Sequence, residues 1–155
     1  MGNTSRMSPP RAQLELQAQA TVLLFDEGRT VALPVGAQGL AETVLRHDPP
    51  TSLELERAID DIEDALSAAR VARVDGGELV TADPLLLSLP GLDRPGAGLA
   101  RDDVEALFGR LASRAHGMPV VGTDLPHGRD VAAALLILRE CMHHLGFERV
   151  APAPS

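Results

Sequence analysis

"QLELQAQATVLLF" (13–25) runs directly into "DEGR" (26–29) and "TVALPV" (30–35). Leu14, Leu16, Ala18, Ala20, Val22 and Leu24 take every second position, and Gln13, Glu15, Gln17, Gln19 and Thr21 fill the gaps. Period two over that length is the pattern of a β-strand with one apolar and one wet face. Gly28 supplies the positive φ that a tight turn needs. Residues 13–35 are therefore expected to form an antiparallel hairpin, with Pro34 confining the second strand to an edge or an end. Strands that return on themselves point to α+β rather than to a parallel α/β sheet.

Downstream elements fit that class. "AQGLAETVLRH" (37–47) reads as a short helix stopped by Pro49-Pro50. "TSLE" (51–54) is a capping box, and Leu55, Ile59, Ile62, Leu66 and Ala69 follow at 4-3-4-3 spacing, a one-sided helix to about Ala69. "VARVDGGELVT" (71–81) signals a second hairpin around a Gly pair. Asp83-Pro84 stand in N-cap and N1 order before a short apolar stretch cut by Pro90, and "GLDRPGAG" (91–98) reads as a mobile loop. "DDVEALFGRLASRAHG" (102–117) is a helix with Gly117 as its stop, "MPVV" (118–121) a short strand, and "VAAALLILRECMHHLGF" (131–147) a last helix, apolar nearly all round at its start. The expectation is one α+β domain over 13–150: antiparallel hairpins at about 13–35 and 71–81, packed with about four or five helices. Residues 1–12 and 151–155 read as tails.

A chain of 155 residues, 45% hydrophobic, can bury one core. All 14 basic residues are arginine, which excludes Schiff-base and P-loop lysine chemistry. Net charge is −8, and residues 42–83 hold eleven acids against four arginines. With no basic stripe and no stacking aromatics, nucleic acid is not an expected partner; the acidic 42–83 region could meet a basic protein surface. The apolar runs are too short for a membrane span. A single cysteine and no leader pattern make the cytoplasm the expected compartment.

Three places invite chemistry. In "RECMHHLGF" (139–147), a wheel at about 100° per residue puts His143 and His144 on opposite flanks. Cys141 and His144, three apart, could share a metal, given further ligands from His47, His116, His127 or a carboxylate. The competing reading is a helix end: a buried thiol, histidines on the helix dipole and Gly146 as the C′ stop. In "VVGTDLPHGRD" (120–130), a strand, a glycine loop and a helix start suit an anion, with ligand-binding candidates His127, Arg129, Gly122 and Gly128, joined by His116. An ordinary loop capped by Asp124 or Asp130 competes. Glu56, Asp60 and Glu63 share one flank of the capped helix, read as a solvated face. No catalytic signature stands out and no cofactor is indicated. The expected function is a non-catalytic accessory or interaction protein, self-associating as a homodimer through surplus apolar helix surface. The alternative is an anionic small-molecule-binding or hydrolytic protein using the 122–130 loop, or a weak metal site at Cys141 and His144.

Overall fold

A computed structural model describes residues 10–118 and 125–154. Strands β1 (Arg11–Leu16), β2 (Thr21–Phe25), β3 (Thr30–Leu33), β4 (Gly77–Thr81), β5 (Leu99–Ala100) and β6 (Phe147–Pro152) form one mixed sheet in the order β3-β2-β1-β4-β6-β5. β1, β4 and β6 run parallel, and β2 and β5 run against their neighbours. The helices are α1 (Ala37–Thr43), α2 (Ser52–Ala69), α3 (Pro84–Leu87), α4 (Arg101–Ala115) and α5 (Arg129–Leu145). The α+β class and the single domain stand.

The opening hairpin divides differently from its pattern. The long alternating run breaks at Gln17–Ala20, where Gln17 N–H donates to the Ala20 carbonyl at 2.8 Å. Leu14 then faces Leu23, and Ala12 faces Phe25. The turn thus inverts parity: Leu23 and Phe25 join the buried face, and Val22 and Leu24 go to the other. No Gly, Pro, Asn or Asp marks this turn; α1 holds it from outside, through Gly39 N–H on the Ala18 carbonyl at 3.0 Å. The second expected hairpin does not form. Residues 71–76 dock on the end of α5 instead, with Val74 N–H on Leu145 O (2.7 Å) and Gly76 N–H on Gly146 O (3.0 Å). Only β4 emerges, and it pairs in parallel on both sides. β6, unread in the sequence, extends to Pro152, into the expected tail.

The helices gather on one face of the sheet. Ala12, Leu14, Leu23, Leu79 and Val150 are buried there, whereas Arg11, Glu78 and Arg149 form an ion-paired row on the opposite face. α5 is the centre of the helical layer: α1, α2, α3 and α4 all pack on it, and every residue from Val131 to Leu138 is buried. The apolar run 131–138 is thus buried within the chain. The capping box of α2 is formed, with Glu54 N–H on Thr51 Oγ1 at 3.2 Å and Thr51 N–H on Glu54 Oε1 at 3.0 Å. Its helix ends at Ala69, as the spacing predicts. Among the described residues no helix is long and apolar enough to cross a membrane.

Candidate functional site

Ligands of sheets with parallel strands sit outside the carboxyl ends of those strands. Here the ends of β1, β4 and β6 lie side by side. Past β1, the Gln17–Ala20 turn presses on the entrance to α1. A Cβ at Gly36 would run into the Ala18 carbonyl and stand 2.5 Å from Ala20 N, so two backbones touch where only glycine fits. Beside this contact opens a cleft of about 460 Å³, walled by Gln19, Gly36, Gly39, Thr43, Asp61 and Asp64. Past β4, buried Thr81 donates to Leu14 O at 2.9 Å and accepts from Asp83 N–H at 3.0 Å, fixing the strand exit. Asp83 in turn caps α3 through Leu85 N–H at 2.9 Å. Past β6, Ala153 N–H donates to Thr81 O at 2.7 Å, and a second cleft of about 450 Å³ opens between Pro152 and the loop bearing Asp93 and Arg94. Glycine backbone, an amide, carboxylates and one guanidinium thus line this edge. Asp61 and Asp64 carry the hard oxygen donors that magnesium takes.

The residues singled out from the sequence are distributed as follows. Gly122 lies outside the described residues, as do Asp124 and most of the expected strand 118–121. Gly128 precedes α5 with φ 127°, and Arg129 opens the helix. His127 and Arg129 are exposed, and among the described residues neither has a hydrogen-bond or ion-pair partner. The cation that does fasten this segment is Arg114, which donates to Leu125 O at 2.5 Å and Pro126 O at 3.3 Å. His116 ends α4 with its ring nitrogens 3.4 and 3.5 Å from Ser52 Oγ. His47 pairs with Glu54 at 2.7 Å. Burial alone would raise Glu54, but the His47 ring and the Thr51 N–H hold it below its ordinary value.

Cys141 is fully buried. Burial, and then the charge of Glu140, push its thiol up to about 12. His144 is half-buried and His143 exposed. The end of α5 is closed by a residue the sequence did not flag: Arg73 Nη1 donates to His144 O at 3.0 Å and His143 O at 3.4 Å. Among the described residues no three His, Cys, Asp or Glu side chains come together as a metal-holding group.

No protein-family pattern and no curated protein matches this chain by sequence. Its fold is nonetheless shared with solved enzymes. A Ppx/GppA phosphatase of Aquifex aeolicus, in its type II variant, superimposes with a TM-score of 0.69 over 95% of this chain at 17% identity. Another structure of the Aquifex aeolicus PPX-GPPA enzyme gives 0.67 over 93% at 17% identity, and an exopolyphosphatase-like protein 0.65 over 93% at 15%. The chain spans about half of each: 54%, 53% and 54% of their lengths.

That likeness corrects the expectation of a non-catalytic accessory and interaction protein. The expectation rested on the absence of any short catalytic signature. The fold proves to be one that phosphatases use. Short signatures report loops with a fixed backbone shape. A site assembled from the ends of distant strands leaves no such mark.

Proposed function

We propose that this chain is a phosphoanion-handling hydrolytic domain, built like one half of a Ppx/GppA phosphatase and acting at the carboxyl edge of its sheet. The observation that carries the reading is the likeness to those enzymes over nearly the whole chain. The edge suits the chemistry. Hydrolysis of a phosphoanhydride needs a base for the attacking water and positive charge for the oxygens of the phosphoryl group in transfer. We assign the first part to Asp61 and Asp64, with Gln19 and the Gly36 backbone positioning the phosphate.

Cations are scarce at this edge, and we assign them to Arg94 and to Arg129 with His127. The second pair stands before α5. That helix turns at Gly146 directly into the start of β6, so its own start points back toward the carboxyl edge. A substrate class that fits is a chain of phosphates, the class named for the exopolyphosphatase-like neighbour. The test is release of inorganic phosphate from polyphosphate with magnesium, alongside calorimetric binding. Release is expected, reduced about tenfold or more in Arg94→Ala and Arg129→Ala. Neither release nor binding by the intact chain would overturn the reading.

A further inference from the structure

β3 is an open edge of the sheet. At the opposite edge, β5 is only two residues long and runs straight into α4. Phe25 N–H donates to Arg29 O at 2.9 Å, which marks these residues as a hydrogen-bonded pair of the β2–β3 ladder. Such pairs alternate along antiparallel strands, so Val31 and Leu33 also turn their backbone groups toward β2. Thr30 and Ala32 turn theirs outward. Both are exposed, and among the described residues no backbone hydrogen bond from outside the ladder reaches either. An edge of this kind is a template for another strand.

The two outward residues complement each other. When a second β3 runs antiparallel about a two-fold axis through Val31, Thr30 of each copy faces Ala32 of the other, and each pair exchanges both of its bonds. That axis stands perpendicular to the sheet and keeps both helical layers on one side. Arg29 then comes to lie across from the partner's Leu33. It is on the helical face: its guanidinium is 4.2 Å from the centroid of the Phe25 ring, and Phe25 is buried there. Leu33 is buried on the same face, and the next residues, Pro34 and Val35, line the cleft that holds Asp61 and Asp64. None of the described residues lining that cleft is basic. The ion pair of Arg29 within its own chain, with Glu27 at 3.7 Å, is exposed on both sides. α2 packs against β3 and carries six acids and one arginine, so two copies meeting here need cations between them. Arg29 is the cation that antiparallel pairing delivers.

We propose that two copies of this chain join β3 to β3, and that the Arg29 of each completes the Asp61–Asp64 cleft of the other as a cation for the phosphoryl oxygens. The joint follows from backbone and charge alone. The role of Arg29 rests on the phosphate-handling reading above.

Val31→Cys tests the joint. Val31 meets the partner's Val31 on the axis as a non-hydrogen-bonded pair, with Cα atoms about 4.5 Å apart, a separation that a disulfide accepts. Mild oxidation of the intact chain is expected to give a covalent dimer for Val31→Cys and none for Thr30→Cys, which faces Ala32 instead. Cys141 is buried and does not compete. Ala32→Pro should keep the fold, because its N–H faces away from β2, and weaken self-association about tenfold or more in sedimentation equilibrium. A monomeric wild type, or a dimer that Val31→Cys does not cross-link, would overturn the proposal.

The shared cleft is tested by complementation. Arg29→Ala and Asp61→Asn are each expected to release phosphate from polyphosphate about tenfold or more slowly than the wild type. Mixed and allowed to exchange, they should recover about a quarter of the wild-type rate, since about half of the dimers are mixed and each of those has one intact cleft. Absence of recovery overturns the shared cleft. A cross-linked dimer that neither releases nor binds phosphate sinks the phosphate reading together with the role of Arg29, and leaves the joint standing.

Discussion

Glu140 shows how one residue escapes a pattern. On a wheel of α5 it is a single charge next to the face formed by Val131, Ala134, Leu135, Leu138 and Met142, and nothing marks it as buried. Periodicity reports one face at a time, and α5 is covered on every side. Cys141 was the easier residue, since free thiols are commonly buried. With its thiol pushed up to about 12, it stays protonated at neutral pH. A thiol reagent at pH 8 is expected to leave the folded protein unlabelled and to react once per chain in denaturant. Rapid native labelling would mean that α5 opens. Gly36 gives a prediction of opposite kind. Its side-chain space is filled by the backbone at Ala18 and Ala20, which cannot swing aside. Gly36→Ala should cost about 1–3 kcal/mol, read as a lower urea midpoint at unchanged slope. It should also disturb the cleft that Gly36 lines.

Elements were legible where their signals are local. The α2 box and its end at Ala69 follow from side-chain chemistry within a few residues and are both present; of the seam, Leu55, Ile62 and Leu66 are buried, Ile59 is half-buried and Ala69 is exposed. Thr51→Ala is accordingly expected to cost about 1 kcal/mol in urea unfolding, since two backbone donors lose their shared arrangement. Thr51→Ser should restore most of it. Strand boundaries were illegible where tertiary contacts set them. The Gln17–Ala20 turn is secured by Gly39, and β4 and β6 pair with partners far along the chain. An alternating run says that a strand is present and not where it bends. It also cannot say which neighbour the strand takes, so "DGG" looked like a hairpin although its glycines serve the crossing from α2 and α5 into the sheet. The flank Glu56, Asp60 and Glu63 reads as a solvated face, and all three residues are exposed.

At the scale of the molecule, the candidate site was the least legible part, because its walls come from the ends of β1, β4 and β6 and from α2. The sequence did supply the acidity that now constrains binding. The chain carries −8, and Asp61, Asp64 and Asp93 stand at the clefts where a phosphate chain would lie. Bare polyanion and acidic edge repel each other, and Arg94 and Arg129 offset only part of that charge. A divalent ion bridging carboxylate and phosphate oxygens reverses the sign of the interaction. Binding of polyphosphate is therefore expected to require magnesium. Added at about one hundred times its dissociation constant, the ligand should stabilise the fold by about 2.7 kcal/mol. For a domain of this size that corresponds to a rise of roughly 5–10 °C in Tm. EDTA should abolish the rise, and sodium chloride at matched ionic strength should not replace magnesium, because screening weakens repulsion without creating a bridge. A full Tm rise in EDTA would show that arginine contacts alone hold the phosphates and that Asp61 and Asp64 take no part in binding.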